Sequence, residues 1–181
     1  MKLLPVLLLL LSFSVYASSD DEIDKQFSIG IGTYGSVITY DQDFAEDDKL
    51  SGFSVSFAYA VSDIFAFRGT YFSLEHDDLS ALESKGIDLL AHVGFNLASP
   101  GFKLYIGGGF FNDKWELAGF DKTFDGLQLS GGIGYNWEFV ALDFILNIRD
   151  ASDYENFVNA LPGPDVSATA ATGSLLLSFR F

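Results

Sequence analysis

Residues 52–61 read GFSVSFAYAV, and this stretch decides the fold that the sequence predicts. Large apolar residues occupy every odd-numbered position from Phe53 to Val61, whereas glycine, serine or alanine occupies the even-numbered positions. Since successive side chains of a β-strand point to opposite faces, the stretch predicts a strand with one apolar face and one small or polar face. Such a strand needs an apolar environment on one side only.

Seven further segments show a similar alternation. The third is the least regular: placing Arg68 inward turns Phe65, Phe67 and Tyr71 outward, but Ile64 and Phe72 then share the face of Arg68. Strands of this kind predict an all-β fold, and an apolar run near 18 residues, which a membrane helix needs, does not follow residue 17. The eight predicted strands are residues 26–37, 52–61, 64–74, 87–97, 102–110, 127–137, 140–149 and 174–181.

The choice between a soluble barrel and a membrane barrel depends on which face is inside. An eight-stranded barrel has an interior only just wide enough for side chains, and the large apolar residues of all eight strands would overfill it. If they face lipid instead, glycine, serine and paired charges fill the lumen, and strands of about ten residues match a bilayer. The sheet must then close into a barrel, since lipid offers no hydrogen-bond partner for the backbone N–H and C=O groups of an edge strand. The sequence therefore predicts a closed, eight-stranded, antiparallel, up-and-down transmembrane β-barrel.

The connections between the predicted strands alternate in length. Those near residues 61–63, 99–101 and 137–138 are short, whereas residues 41–49, 75–85, 112–125 and 150–169 form long polar connections. Short periplasmic turns and long external loops are typical of outer-membrane barrels, and an even strand number puts both termini in the periplasm. The polar connections also hold most of the acidic residues, so a net charge of −15 coexists with a mean hydropathy of +0.25.

The first 17 residues have the features of a secretory signal peptide. Lys2 is followed by an apolar stretch from Leu3 to Val15 that is too short to span a bilayer, and Val15-Tyr16-Ala17 fits a cleavage site. We therefore expect a signal peptide at 1–17 and one outer-membrane barrel domain at 18–181. The absence of cysteine excludes disulfides, thiolate metal sites and lipoprotein acylation, and the acidic charge argues against nucleic acid. No cofactor is predicted.

The end of the chain, LLLSFRF at 175–181, resembles the C-terminal targeting signal of outer-membrane barrels. In that resemblance Phe179 and Phe181 form the assembly signal, which implies recognition by the barrel-assembly machinery. Residues 26–181 as a whole resemble the small barrels of the OmpA transmembrane domain, OmpX and Ail-like type. Nothing follows the eighth strand, so the peptidoglycan-binding role of full-length OmpA relatives is not implied.

The inward face carries a set of charged residues with two interpretations. We favour a network of internal ion pairs, because buried charges need partners; the alternative is the lining of a narrow channel for small solutes or ions. His92 shares its face with Asp88, but no serine is clearly placed beside them, and the His-x-Ser pair of lipid A deacylases is absent. We therefore expect no enzyme, with an outer-membrane lipid-modifying enzyme as a remote alternative. The predicted lumen network comprises Arg68, Asp88, His92, Lys103, Asp143, Arg149 and Arg180.

The predicted loops leave the task of the protein open. Acidic runs at 41–48 and 75–83 could hold Ca²⁺ or Mg²⁺, but their spacing fits no EF-hand, so we expect solvated surface and no metal site. Aromatic residues in the third and fourth loops suggest either contacts with host or phage ligands or an aromatic belt, and we favour the belt for Trp115 and Phe124. The sequence predicts a monomer among outer-membrane lipid and lipopolysaccharide, with a role in envelope integrity or adhesion. The other three aromatic residues are Phe120, Tyr154 and Phe157.

Overall fold

The computed structural model describes residues 25–41, 47–79, 81–117, 119–160 and 165–181. Within them, eight antiparallel strands pair in chain order and β8 closes on β1, so the predicted up-and-down barrel is confirmed. A helix, α1, spans Ser152–Asn159 between the last two strands. The predicted signal peptide lies outside the described residues. The strands are β1 Phe27–Tyr40, β2 Asp48–Ala60, β3 Phe65–His76, β4 Leu82–Phe95, β5 Gly101–Leu117, β6 Phe120–Asn136, β7 Val140–Arg149 and β8 Ala168–Arg180.

The two faces of the barrel have the predicted character. Ile106 and Leu129 on the outside are both 71% exposed, whereas inward residues such as Leu176 are buried. We call the outward apolar side chains the apolar belt. Toward the end of the barrel where α1 lies, the belt ends on five of the strands at a residue whose next outward neighbour is polar. The last belt residues on five strands are Tyr71, Ile87, Phe110, Leu127 and Ile148, followed outward by Ser73, Lys85, Asn112, Asp125 and Asp150.

The third strand has the expected phase, but two residues at strand ends were predicted wrongly. Arg68 and Phe72 are buried while Phe67 is exposed, as the inward placement of Arg68 requires. Ile64 does not share the face of Arg68, because it precedes β3 in a turn and is 62% exposed. Leu97 does not face outward, because β4 ends at Phe95 and the turn carries Leu97 against the buried residues inside the barrel.

The predicted long loop at 112–125 is wrong. β5 continues to Leu117 and β6 begins at Phe120, with Gly119 between them at a φ of +93°, a value that favours glycine. The two-residue alternation also continues here, but with inverted polarity: Trp115 points inward while Lys114 and Glu116 point outward. Outside the apolar belt the surroundings are aqueous, so the apolar side chains turn to the interior.

The two ends of the barrel differ. Connections of residues 61–64, 96–100 and 137–139 form what we call the short-turn end, and α1 lies at the opposite, helix end. At the short-turn end, Asp63 organises the β4–β5 turn, since its Oδ1 accepts the backbone N–H groups of Ala98 and Ser99 and its Oδ2 accepts the Ser99 hydroxyl. Among the described residues, no helix is long and apolar enough to cross a bilayer.

Candidate functional site in the barrel interior and at the helix end

Arg149 is the centre of an ion-pair group near the helix end of the lumen, which we call the upper ion group. Its Nη2 donates to Asp88 Oδ1 and to the Tyr34 hydroxyl, both at 2.9 Å, and its Nη1 lies 3.3 Å from Asp113 Oδ2. The Tyr34 hydroxyl in turn donates to Asp88 Oδ2 at 2.6 Å. Residues from β1, β4, β5 and β7 are thus joined across the lumen by one guanidinium.

Aromatic rings enclose that guanidinium. Its carbon lies 4.5 Å from the ring centre of Phe111 and 5.1 Å from that of Phe72, within the range of cation–π attraction. Gly86 is required here, because a Cβ at that position would collide with the Phe72 ring. The arrangement removes Arg149 from solvent while providing it with two carboxylates and two ring faces.

Asp113 was not among the predicted lumen residues, because residues 112–125 were interpreted as a loop. Its side chain is 1% exposed and accepts hydrogen bonds from Ser84, Tyr154 and Arg149. The inverted alternation of Phe111, Asp113 and Trp115 against polar neighbours is the sequence signal that could have identified it.

An apolar cap closes the lumen above the upper ion group. The Tyr154 side chain of α1 enters the barrel mouth and stacks on Phe124 with ring centres 4.3 Å apart, and its ring centre lies 6.0 Å from that of Trp115 with the planes tilted by 51°. Its hydroxyl donates to Asp113 Oδ2 at 3.1 Å, so the cap and the ion group are joined. The other buried members of the cap are Ile38, Leu50, Leu74, Leu82 and Ala170.

The aromatic-belt interpretation of Trp115 and Phe124 is therefore wrong. Trp115 is 8% exposed and Phe124 is fully buried, because both strands extend beyond the apolar belt and turn these rings inward. Tyr154 and Phe157 are not free contact residues either, since Tyr154 is buried and Phe157 packs against the same cap. The side chain of Phe120 lies outside the described residues.

Asp143 is the centre of a second group closer to the short-turn end, the lower ion group. Lys103 Nζ lies 2.9 Å from the Asp143 carboxylate, Arg68 Nη2 lies 3.4 Å from it, and the Tyr105 hydroxyl donates to its Oδ1 at 2.8 Å. The Tyr105 ring packs against Gly132 on the adjacent strand, where a Cβ atom would collide with the ring. Two of the predicted cations thus share one predicted acid.

His92 and Arg180 stand apart from both ion groups. His92 Nε2 lies 3.1 Å from Ser130 Oγ, so the expectation that no serine lies beside it was wrong. Within the described part of the chain, no carboxylate bonds the His92 ring, and Asp88 is instead engaged by Arg149. Arg180 donates to the backbone carbonyls of Trp137 and Ala98. The seven predicted lumen residues are all buried, but they do not form one connected network.

Charged side chains surround the helix end, and we call them the charged rim. On β4, β5 and β6 they alternate in sign: Lys85 pairs with Glu83 at 2.6 Å, and Lys114 lies 2.8 Å from Glu116 and 3.3 Å from Asp121. These pairs are roughly half exposed, so each contributes little to the free energy of unfolding. The other charged members are Asp41, Asp47, Asp48, Lys49, Glu75, Asp77, Asp78, Lys122, Asp125, Asp150, Asp153, Glu155 and Asp165.

The acids of the charged rim are not gathered into a cation site. In the described ranges, no group of three His, Asp or Glu side chains is arranged to hold a metal ion, and Asp43 and Glu46 of the first acidic run lie outside those ranges. Just beyond β7, Asp150 Oδ1 accepts the Ser152 hydroxyl at 2.6 Å and the Ser152 N–H at 3.0 Å. These two hydrogen bonds lower the pKa of Asp150 below its ordinary value.

The terminal aromatic residues lie on the outside of the barrel. Phe179 and Phe181 are 54% and 52% exposed, and their ring centres are 6.0 Å apart. The backbone of Phe181 exchanges two hydrogen bonds with Phe27, which extends the β8–β1 seam to the short-turn end. Both rings are thus accessible from the membrane side, and their role in assembly stays a prediction.

Comparisons with known proteins agree with this architecture. The family profile described as outer membrane protein beta-barrel domain matches residues 6–179. Neisserial surface protein A is 18% identical with a TM-score of 0.61, covering 86% of this chain and 97% of its own. Ail, the attachment invasion locus protein of Yersinia pestis, is also 18% identical, with a TM-score of 0.56 and coverages of 87% and 99%.

A third solved structure has the same relation to the chain. The N-terminal β-barrel domain of Pseudomonas aeruginosa OprF is 17% identical with a TM-score of 0.52, covering 87% of this chain and 99% of its own. No curated protein matches the sequence significantly. Identities this low show only a shared fold, so the ligands of those proteins are not assigned to this chain.

Proposed function

This chain belongs to the family of outer membrane protein beta-barrel domains and resides in the bacterial outer membrane, and we propose that it works there as a non-enzymatic surface protein. In this proposal the closed barrel contributes to envelope integrity. The charged rim provides the surface that meets partners outside the cell.

The observation that carries the proposal is the closed interior. The apolar cap around Tyr154, the upper ion group around Arg149 and the lower ion group around Asp143 succeed one another along the lumen. A solute on this path would have to separate buried ion pairs, and leaving one buried charge without its partner costs about 3–5 kcal/mol. The narrow-channel alternative is therefore disfavoured.

We assign the helix end to the cell exterior and the short-turn end, with both termini, to the periplasm. Short turns face the periplasm in bacterial outer-membrane barrels, whereas long connections face outward, and the longest connection here, residues 150–167 with α1, lies at the helix end. The strands β4, β5 and β6 extend about five to seven residues beyond the apolar belt at the helix end, which at roughly 3.4 Å per residue raises the charged rim above the bilayer. The rim is then the part of the protein most accessible to a partner.

The charge of the rim determines the class of partner. Acids outnumber lysines there, so the rim attracts cationic surfaces and repels polyanions. Ail has been crystallised with the heparin analogue sucrose octasulfate, which is a polyanion. For this chain we instead expect contact with positively charged host or phage surface groups, and weak binding of sulfated sugars.

Two features support a non-enzymatic role. The His92–Ser130 pair resembles a base beside a nucleophile, but a third group that would orient the histidine is not bonded to it in the described residues. The pair is also buried inside the barrel, at 2% and 7% exposure, away from the membrane and from the rim. A substrate would have to enter the filled lumen to reach Ser130.

The same proposal covers assembly and surroundings. Phe179 and Phe181 are placed on the last strand where the barrel-assembly machinery would recognise them. The apolar belt contacts lipid and lipopolysaccharide, and the chain acts as a monomer, since the barrel closes on itself without a partner strand.

Conductance and adhesion test the proposal together. The purified protein in a planar bilayer should show no discrete openings. Cells that lack the endogenous protein and express the wild-type chain should bind amine-coated beads and bind heparin-coated beads weakly. Neutralising three exposed rim acids by Glu75→Gln, Asp78→Asn and Asp125→Asn should reduce binding to amine beads several-fold.

Glu138→Gln is the matched control, because Glu138 is an exposed acid at the short-turn end. It should leave bead binding at the wild-type level, since the periplasm hides that end. A reproducible open channel, or bead binding that is unaffected by the triple substitution, would contradict the proposed function.

A further inference from the structure

A cavity of about 30 Å³ lies inside the barrel at its short-turn end, below the lower ion group. Among the described residues, no aspartate or glutamate lines it, although the protein has a net charge of −15. Its neutral lining includes His92, Asn136 and Ser28. Four cationic side chains line the same cavity: Lys25, Arg68, Lys103 and Arg180.

These cations are only partly neutralised by neighbouring acids. Asp143 does not line the cavity, and its carboxylate is shared between Arg68 and Lys103. Arg180 donates only to backbone carbonyls in the described structure, and the Asp63 carboxylate accepts its hydrogen bonds from the β4–β5 turn. Within the described residues, three buried cations therefore face the cavity while the Asp143 carboxylate bonds two of them, and Arg180 has no carboxylate hydrogen-bonded to it.

Arg68 also has an unused donor. The residue is 8% exposed, and its Nε is buried without a hydrogen-bond partner among the described residues. A buried guanidinium N–H without an acceptor is costly, so the site favours an occupant that accepts hydrogen bonds. Both Nζ contacts of Lys103 go to Asp143, which leaves further ammonium hydrogen available.

We propose that this cavity is a binding site for a small inorganic anion of the chloride class. The volume has room for roughly one or two particles the size of water, so a chloride fits whereas a phosphate, a sulfate or a sugar does not. The anion would enter from the short-turn end and offset the excess charge of Arg68 and Arg180. Lys25, whose ammonium lies 3.7 Å from the ring centre of Phe139, stands at the entrance.

The full-length mature protein in lipid nanodiscs allows a direct test with chloride itself. Thermal unfolding is followed in potassium chloride and in potassium gluconate at equal ionic strength, and ³⁵Cl NMR line width reports bound chloride. We expect a saturable rise in Tm with chloride and a broadened ³⁵Cl line that bromide narrows by competition. Arg68→Gln should weaken chloride affinity at least tenfold, and Lys114→Gln, which removes an exposed rim cation, should leave it unchanged.

Three results would overturn the site. They are a ³⁵Cl line no broader than that of empty nanodiscs, a salt dependence identical in chloride and gluconate, and wild-type chloride affinity in Arg68→Gln. The first would mean that water alone fills the cavity. If Arg68→Gln does not fold, the bromide competition in the wild-type protein decides the question without it.

Discussion

Arg149 Nη2 lies 2.9 Å from Asp88 Oδ1, although the two residues are 61 positions apart in the chain and belong to strands on different sides of the lumen. The same guanidinium also lies 3.3 Å from Asp113. One cation therefore serves two buried carboxylates, and Tyr34 and Tyr154 complete their hydrogen bonds. These ion pairs and hydrogen bonds are strong because the groups are buried and none of them can bond to bulk water instead.

Removing Arg149 should be far more harmful than removing an exposed cation. Arg149→Met leaves Asp88 and Asp113 buried without their cation, and we expect a loss of about 3–5 kcal/mol in the free energy of unfolding. Urea titration in lipid vesicles measures it. Lys85→Met is the control and should lower the free energy of unfolding far less than Arg149→Met does, because its ion pairs are exposed. Equal effects of the two substitutions would contradict the buried ion group.

The apolar belt predicts that an outward arginine on β5 is destabilising within the belt and tolerated just beyond it. Ile106, at the middle of the belt, is 71% exposed, so Ile106→Arg would place a charge in hydrocarbon. We expect a destabilisation of about 2–4 kcal/mol, against about 0–1 kcal/mol for Asn112→Arg on the same face just beyond the belt. The readout is the unfolding free energy in vesicles. If both variants are tolerated equally, the outward face does not meet lipid.

The apolar cap predicts that α1 can be released without unfolding the barrel. Tyr154→Ala removes the ring that stacks on Phe124, and loss of a buried aromatic side chain costs about 3–5 kcal/mol. We expect proteinase K to cut between residues 150 and 167 much faster, while heat-modifiable gel migration shows an intact barrel. Asn156→Ala, an exposed change on the same helix, should leave the cleavage rate at the wild-type value. Slow cleavage of Tyr154→Ala would show that the cap does not hold α1.

The Asp150–Ser152 contact predicts a measurable titration shift beyond β7. Two hydrogen bonds from Ser152 favour the charged carboxylate, so the pKa of Asp150 lies below its ordinary value of 3.8. Ser152→Ala should raise that pKa toward 3.8, as followed by carboxyl ¹³C shifts in NMR. Since the folded-state pKa is the lowered one, the contribution to α1 docking is fully present above pH 3.8 and disappears as the pH falls through the folded-state pKa.

The control for that titration is Asn156→Ala, an exposed change on the same helix that removes neither hydrogen bond to Asp150. In that variant the pKa of Asp150 should stay at its wild-type value. A pKa for Asp150 that does not move on removal of the hydroxyl would show that the hydroxyl hydrogen bond is absent in the membrane-bound protein.

The predictable part of the lumen was the part that lies within the apolar belt. Arg68, Lys103 and Asp143 could be placed inward because their neighbours along the strand are large and apolar. Asp113 could not be placed inward, because beyond the belt the outward residues are polar and the inward residues are apolar, the reverse of the pattern within the belt. Ser130 was visible as an inward residue, but its distance of 3.1 Å from His92 depends on the pairing of β4 and β6 with β5 between them.

The sequence by itself determined that eight strands would close into a barrel with its apolar face outward, because a period of two residues assigns each side chain to a face without any knowledge of its neighbours. Only the tertiary structure decided which inward charges meet, that Tyr154 plugs the helix end, and that cations surround a cavity at the short-turn end. Those contacts join residues from strands distant in the chain, so they depend on register and barrel curvature, which no local pattern encodes.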